Sequence, residues 1–383
     1  MLERPFAGPD AQAAVLVCLD FGDASQEDAI GEFVRLALSA GAVRYARVEG
    51  RRARPDPKFF AGSGKVAEIG RSAKDLNAAF VIFNHALSGA QQRNLERELG
   101  RRVLDRSDLI LEIFAQRART SEGKVQVELA QLEHLSTRLV RGWTHLERQR
   151  GGLGKTGGPG ETQLELDRRY IARRVRVLKD KLQHLQQQRT VQRRARVRGS
   201  VLSISLVGYT NAGKSSLFNA LAHAGALEAD RLFATLDTTT RRIHVPEAGP
   251  VALSDTVGFI HHLPHTLVAS FRATLEETVH ADLLLQVVDS ASPARARQIE
   301  DVNGVLREIG ADAIPQIEVW NKIDLRECGA AREPGAERDE YGRISRVFVS
   351  ARTGAGLAGL RTAIVEAAER RATAAPAAAA ISI

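Results

Sequence analysis

The sequence has only two cysteines, Cys18 and Cys328, and they lie far apart in the chain. Two distant thiols argue against a disulfide framework or a zinc scaffold and favour a reducing compartment. The chain has no run of eighteen apolar residues, so a membrane-spanning helix is not expected. The first ten residues lack the charged-then-apolar pattern of a secretory signal, so we expect a cytoplasmic protein, at most loosely associated with a membrane.

The positive charge is concentrated in one segment, residues 138–198. This segment holds 17 basic and 5 acidic residues, a balance of +12 in a chain whose net charge is +8. A concentrated basic stripe is the electrostatic signature of a nucleic-acid partner. The alternative interpretation is a solvated helical surface without a partner.

The first hundred or so residues alternate between short apolar runs and amphipathic stretches. Amphipathic patterns predict helices at 26–40, 63–76, 88–99 and 107–118. The apolar runs predict strands at Ala14–Leu19, Val43–Val48, Phe80–Phe83 and Arg102–Leu104. Such alternation is typical of an α/β domain with a largely parallel sheet.

The basic segment lies in a region of helical pattern. One helix is predicted from about Val125 to Leu146, and a second resumes at Glu161 after a linker with six glycines in residues 150–160. Leucines at a spacing of three or four residues line one face of the first helix. In the second, residues 171, 175, 178, 182 and 185 follow coiled-coil spacing. We therefore expect an antiparallel helical hairpin with a glycine-rich tip.

At 383 residues, with 44% hydrophobic and 26% charged residues, the chain suits two or three globular domains. We predict an α/β protein with an N-terminal α/β domain at 1–118 and a helical hairpin, or coiled coil, at 119–199. A P-loop G domain follows at 200–371. Residues 372–383 are alanine-rich and are predicted to be disordered.

The pattern of residues 208–215 predicts a phosphate-binding loop. The predicted strand Ser203–Val207 leads into Gly-Tyr-Thr-Asn-Ala-Gly-Lys-Ser, and a helical pattern follows at once. The glycines let backbone N–H groups face phosphate oxygens, and Lys214 neutralises the β- and γ-phosphates. The Ser215 hydroxyl is a ligand for Mg²⁺.

Three further motifs follow in the order that a GTPase requires. Asp255 to Gly258 ends a strand, where the carboxylate can hold magnesium through water and the Gly258 N–H can reach the γ-phosphate. Asp324, in Asn-Lys-Ile-Asp, can accept two hydrogen bonds from guanine, and adenine offers no such donor pair. Ser350 and Ala351 follow another strand and complete the base pocket. The sequence therefore predicts a GTP site.

A threonine that closes on magnesium is expected between the P-loop helix and Asp255. Thr235, Thr238, Thr239 and Thr240 all lie there, and composition does not choose among them. The residues predicted to contact nucleotide are Gly208, Tyr209, Thr210, Asn211, Ala212, Gly213, Lys214, Ser215, Phe233, Ala234, Thr235, Leu236, Asp237, Asp255, Thr256, Val257, Gly258, Asn321, Lys322, Ile323, Asp324, Val349, Ser350 and Ala351.

One expected catalytic residue is absent. Many GTPases place a glutamine directly after Asp-x-x-Gly to orient the attacking water, and this chain has Phe259 there. We therefore expect slow hydrolysis until a partner or a rearranged loop supplies the missing electrostatics. The nearby candidates for that help are His261, His262, His265, Arg241 and Arg242, each of which has a surface or switch role as its alternative.

The chain resembles the HflX family, within the Obg-HflX group of translational P-loop GTPases. Four segments carry the resemblance, which extends over about residues 12–371. These are residues 117–132, 141–149, 158–165 and the P-loop at 208–215.

The resemblance implies a ribosome partner. Family members bind the large ribosomal subunit and its RNA through the first domain and the hairpin, and they separate stalled or idle ribosomes into subunits, notably under heat stress. Ribosomes stimulate their hydrolysis of GTP. The resemblance also implies that Thr235 is the magnesium-binding threonine, that Lys214, Thr235 and Gly258 support catalysis, and that the protein acts as a monomer.

The chain departs from the family at two points. Thr238 stands where proline is frequent, which is expected to loosen the switch, and the resemblance ends near residue 372, where some members carry a further domain.

Three other interpretations remain beside ribosome splitting. They are a GTPase that times large-subunit assembly, a tRNA-modifying GTPase and an ATP-driven helicase. The last two lack the motifs that they need. Residues 62–65 mimic a phosphate loop, but Phe59 and Val66 break the required pattern.

Overall fold

The computed structural model describes residues 13–22, 26–150, 163–198, 201–222, 232–233, 235–261, 275–325 and 333–379. The chain divides into two compact units, Met1–Gln183 and His184–Ile383. This division falls inside a long helix rather than at residue 199, and the domain limits proposed from the sequence remain predictions.

The N-terminal unit contains a four-stranded parallel sheet in the order β2-β1-β3-β4. Its strands are β1 (Ala13–Asp20), β2 (Arg44–Arg51), β3 (Phe80–Phe83) and β4 (Arg102–Leu104). The helices between and after them are α1 (Gln26–Ala40), α2 (Ser63–Asp75), α3 (Gly89–Leu99) and α4 (Arg106–Arg117). The predicted α/β domain is confirmed, with β2 beginning one residue later than expected and ending at Arg51.

Strand β1 is an inner strand of the sheet, and it is buried because helices α1 and α2 both pack against it. Its residues are apolar almost without interruption, which is typical of a parallel strand covered on both sides. Val15 and Val17 pack with Ile69 of α2 and Phe83 of β3 in one apolar core. Two of the helices begin with reciprocal capping boxes, Ser88 with Gln91 and Asp105 with Asp108.

Two long helices, α5 (Ser121–Arg150) and α6 (Gln163–Arg198), follow α4. They pack through a seam in which the aliphatic side chains are Val125, Leu129, Leu132 and Leu135 from α5 and Ile171, Val175, Leu178 and Leu182 from α6. The predicted helix pair is therefore confirmed along this seam. Helix α5 begins four residues earlier than expected because the Thr120 hydroxyl accepts a hydrogen bond from the Gly123 N–H at 2.9 Å. The glycine-rich tip lies outside the described residues.

The C-terminal unit is built on a seven-stranded sheet in the order β10-β11-β9-β8-β5-β7-β6. Pairing is parallel from β11 to β7, and the two edge strands pair antiparallel. The strands are β5 (Leu202–Gly208), β6 (Thr239–Val245), β7 (Gly249–Asp255), β8 (Leu283–Asp289), β9 (Gln316–Asn321), β10 (Gly335–Arg338) and β11 (Ile344–Phe348). Because parallel strands end at one edge, the loops after β5, β7, β9 and β11 are brought together.

Helices in this unit are α7 (Lys214–Ala222), α8 (Glu276–Val279), α9 (Arg295–Ile309) and α10 (Leu357–Ala379). Helix α10 continues through most of the segment predicted to be disordered. Alanine has the highest intrinsic helix propensity, so an alanine-rich run extends a helix whose first turns are already packed. Among the described residues, no helix combines the length and the apolar character that a membrane crossing requires.

Candidate nucleotide site

The loop between β5 and α7 requires glycine at both of its ends. Gly208 has a φ of 148°, and a Cβ there would lie 2.3 Å from the Val287 carbonyl oxygen. Gly213 has a φ of 92°, and its Cβ would lie 2.2 Å from the Asn321 side-chain nitrogen. Helix α7 then begins at Lys214, so its N-terminal N–H groups face the concave side of the loop.

Lys214 is enclosed by the loop that precedes it. The side chain is 6% exposed, and its ammonium donates to the carbonyls of Gly208 at 3.1 Å and Tyr209 at 2.8 Å. Burial lowers the pKa of Lys214 to about 8, and the Asp255 carboxylate opposes this shift. A buried cation at the head of a helix is suited to bind an anionic phosphate group.

Three side-chain oxygens converge beside Lys214. The Ser215 and Thr235 hydroxyls donate to one Asp255 oxygen at 2.7 and 2.9 Å, and the two hydroxyls lie 2.8 Å apart. The other Asp255 oxygen is buried and has no hydrogen-bond partner. Burial raises the pKa of Asp255, while Lys214 and the two hydroxyls counteract that rise. Hard oxygen donors around an unsatisfied carboxylate oxygen fit a magnesium ion.

The segment after Asp255 lies against the phosphate loop. A Cβ on Gly258 would lie 2.9 Å from the Thr210 Cα and 3.0 Å from the Lys214 ammonium, so this close approach requires glycine. The Thr210 N–H donates to the Phe259 carbonyl at 2.7 Å, and the Phe259 N–H donates to the Gly208 carbonyl at 3.1 Å. The ring of Phe259 is 1% exposed, so it fills the core and has no group that can orient water.

Asn321 joins the phosphate loop to the loop after β11. Its side-chain amide donates to the Ala212 carbonyl at 3.0 Å and accepts from the Ala351 N–H at 2.9 Å. Asn321 is 2% exposed, whereas Asp324, in the 3-10 turn Ile323–Leu325, is exposed and available to a base. The two side chains therefore have different tasks, since one aligns the loops and the other is free to contact a ligand.

The remaining residues predicted from the two base-side motifs are close by. The Lys322 ammonium lies 2.7 Å from an Asp289 oxygen. The Ile323 N–H donates to the Val349 carbonyl at 3.3 Å, and the fully buried Ser350 accepts from the Thr353 N–H at 3.1 Å. The role of Asp289 was missed from the sequence, although an aspartate that ends a buried parallel strand at this edge was a signal that could have found it.

The structure brings most of the other predicted site residues to the same edge. Phe233 and Leu236 are buried, and Thr256 is buried with its hydroxyl donating to the Leu206 carbonyl at 2.6 Å. The rest are Tyr209, Asn211, Asp237 and Val257, which lie in the same loops, and Ala234, which is outside the described residues.

The candidates for catalytic help are dispersed. Arg241 and Arg242 are exposed on edge strand β6. His261 lies beside Asp301 of α9, at 3.0 Å. His262 and His265 lie outside the described residues, so their part in hydrolysis stays a prediction.

The basic helix α6 carries a second candidate surface. Arg168, Arg169, Arg173 and Arg176 are exposed, while Arg174 pairs with Glu128 of α5 at 2.7 Å. Because the apolar side of α6 is occupied by the seam with α5, Arg173 and Arg176 project away from that core. They are available to an anionic partner such as a nucleic-acid backbone.

Fold and site together define the class of protein, a P-loop GTPase with a separate N-terminal unit. Three family profiles match in succession: "GTP-binding GTPase N-terminal" at residues 27–115, "GTP-binding GTPase Middle Region" at 117–196 and "50S ribosome-binding GTPase" at 203–322.

Individual relatives extend the match over nearly the whole chain. The chain is 52% identical to the GTPase HflX of Escherichia coli strain K12 over 366 residues, covering 96% of this chain and 84% of that protein. It is 48% identical to the GTPase HflX of Magnetococcus marinus, covering 86% and 75% of the two chains. A solved structure titled as a complex of SsGBP and GDP is similar with a TM-score of 0.51, at 25% identity, over 94% of this chain and 99% of that one. The chain belongs to the HflX family of GTPases and is a GTP-hydrolysing enzyme.

Proposed function

We propose that this GTPase binds the large ribosomal subunit in its GTP-bound state and separates stalled or idle ribosomes into subunits, under heat or other stress. The observation that carries the proposal is the match of the G domain to a family described as a 50S ribosome-binding GTPase. The exposed arginines of α6 support it, since they offer the charge that ribosomal RNA requires. The protein then works in the cytoplasm, as a monomer.

The proposed nucleotide chemistry assigns one task to each group at the site. Backbone N–H groups of the loop and the Lys214 ammonium bind the β- and γ-phosphates. Ser215 and Thr235 would hold a magnesium ion directly and Asp255 would hold it through water, and the bound ion would supply positive charge beside the phosphates. The Gly258 N–H contacts the γ-phosphate, and Asp324 accepts two hydrogen bonds from guanine.

Hydrolysis is proposed to be slow until the ribosome is bound. Phe259 is buried and cannot align the attacking water, so the unassisted site lacks one element of the reaction. Assistance of this kind from a partner or a finger residue is worth about 10³–10⁵ in rate for other GTPases. The nucleotide site thus works as a timer that the ribosome sets.

Sedimentation of ribosomes through a sucrose gradient tests the proposal. Whole ribosomes are mixed with the protein and a non-hydrolysable GTP analogue, and the peak of intact ribosomes is measured. The expected result is a smaller intact peak and larger subunit peaks, which Lys214→Ala abolishes. Replacing Arg168, Arg169 and Arg173 with glutamate is expected to weaken ribosome binding and its salt dependence, with basal hydrolysis nearly unchanged.

An intact peak that is unchanged by the wild-type protein and analogue contradicts ribosome splitting. Enrichment of the protein on precursor particles of the large subunit, in the same gradients, instead favours a GTPase that times subunit assembly. The description of the matched G-domain family is compatible with this second function, because it names ribosome binding without naming its consequence.

A further inference from the structure

The segment that follows Gly258 is fixed at a second point, beyond its backbone bonds to the phosphate loop. The N–H of His261 donates to the Tyr209 hydroxyl at 2.7 Å. Tyr209 is itself part of the phosphate loop and is 8% exposed. A side chain of the loop therefore reaches across and holds the main chain three residues beyond Gly258.

The His261 ring extends this attachment to helix α9. Its Nδ1 lies 3.0 Å from an Asp301 oxygen, and an Arg297 guanidinium nitrogen contacts its Nε2. Arg297 and Asp301 are four residues apart and share one face of α9. An Arg297 donor at Nε2 leaves Nδ1 to carry the proton that Asp301 accepts, so the two contacts select one neutral tautomer of the ring.

Helix α9 is itself firmly attached to the sheet. Gln286 of β8 is 3% exposed, and its amide donates to the Ile299 carbonyl at 3.4 Å and to the Asn303 side chain at 3.3 Å. Val302 and Leu306 are buried on the same helix. The helix that contacts His261 is therefore a rigid support rather than a loose surface element.

The attachments converge on the position of Gly258. Phe259 is bonded to the phosphate loop through its main chain, and His261 is held both by Tyr209 and by α9. Gly258 directly precedes this fixed stretch, and a Cβ added to it would lie 2.9 Å from the Thr210 Cα and 3.0 Å from the Lys214 ammonium. A shift of the stretch by 1 Å moves the Gly258 N–H out of hydrogen-bond range of a group bound at the Lys214 ammonium.

We propose that Tyr209 and Asp301 are positioning residues for recognition of the γ-phosphate, with Asp301 acting through His261. The Tyr209 hydroxyl and the Asp301 carboxylate hold the Gly258 N–H where a third phosphate group needs it, and these side-chain groups do not bind the first two phosphates. The inference rests on the proposed function, which assigns the γ-phosphate to Gly258. It adds that discrimination between GTP and GDP depends on a tyrosine hydroxyl and on helix α9.

Two conservative variants of the full-length protein test the proposal, Tyr209→Phe and Asp301→Asn. Affinities for GDP and for a non-hydrolysable GTP analogue are measured with magnesium, together with kcat and KM. Each variant is expected to bind GDP as the wild type does and to bind the analogue about 3- to 10-fold more weakly, because Tyr209→Phe removes one hydrogen bond and Asp301→Asn reduces a charge-assisted hydrogen bond to a neutral one. The expected kcat falls as well, and Tyr341→Phe, at an exposed turn, is the matched control.

Equal losses of GDP and analogue affinity overturn the proposal, because they show a general distortion of the phosphate loop. Unchanged analogue affinity in both variants overturns it also. Asp301→Asn lies outside the loop, so it supplies the answer if Tyr209→Phe fails to fold. Gly258→Ala distinguishes failure of the proposed γ-phosphate contact from failure of the positioning role. If this variant leaves analogue affinity intact, the γ-phosphate contact of Gly258 itself is wrong. If it impairs the analogue while both positioning variants are silent, only the positioning role is wrong.

Discussion

Replacing Asn321 with alanine is expected to weaken nucleotide binding although the side chain serves mainly to align loops. The substitution leaves two main-chain groups without their partner, the Ala212 carbonyl and the Ala351 N–H. Ala212 is 1% exposed, so leaving its buried carbonyl without a hydrogen bond costs about 1–3 kcal/mol of free energy. Ala351 is half-buried, so water can partly replace the bond that its N–H made to Asn321, and this loss costs about 0.5–1.5 kcal/mol of free energy.

The summed cost of about 1.5–4.5 kcal/mol corresponds to roughly a 10- to 2000-fold loss, divided between affinity and the stability of the nucleotide-free unit. Both are measured, by titration with a fluorescent GDP derivative and by thermal unfolding without nucleotide. Asn94→Ala is the matched control, since Asn94 also donates to a main-chain carbonyl but lies in the N-terminal unit. A GDP affinity within threefold of wild type, with an unchanged unfolding temperature, would refute the reasoning.

Three further changes have expected outcomes. Asp324→Asn is expected to lower the preference for GDP over ADP about 10- to 100-fold, because an amide accepts one of guanine's two donors and clashes with the other; retained selectivity in competition assays contradicts the base pocket. Lys214→Met, without nucleotide, is expected to raise stability near pH 7 by about 3 kcal/mol. The pKa of Lys214 is about 8 in the folded protein and 10.5 in the unfolded chain, so between these pH values the unfolded chain binds more protons and the stability of the wild type rises with pH. The stability difference between variant and wild type should therefore shrink from pH 7 to pH 10, and denaturant titrations that show a constant difference refute this. Arg138→Leu is expected to cost about 3–5 kcal/mol in urea unfolding, because buried Asp105 and its neighbour Asp108 lose their cation; a cost under 1 kcal/mol contradicts the pairing.

Local patterns predicted much of the architecture. Strand β3, at Phe80–Phe83, and strand β4, at Arg102–Leu104, agree with the structure to the residue, because short apolar runs bounded by helical patterns have one good placement in a parallel sheet. The phosphate loop could be predicted from the sequence because each of its glycines is required by steric constraints that are common to all such loops. The seam between α5 and α6 followed from the spacing of aliphatic residues alone.

Other features depend on contacts between distant segments, and the sequence could not supply them. Composition left four threonines for one role and the family resemblance implied Thr235; the fold places its hydroxyl 2.9 Å from Asp255. The Tyr209 hydroxyl meets His261 across 52 residues of sequence, and neither residue carries a pattern that indicates the other. Helix α10 extends to Ala379, past the G-domain limit predicted at residue 371, because alanine favours helix.

The most direct test of the account is the rate of GTP hydrolysis measured with and without purified large ribosomal subunits. Slow hydrolysis is expected from the protein alone, because buried Phe259 replaces a residue that orients water. The rate is expected to rise by orders of magnitude with large subunits and to fall back when salt screens the arginines of α6. Fast hydrolysis by the isolated protein, or a rate that large subunits leave unchanged, would contradict control of GTP hydrolysis by the ribosome.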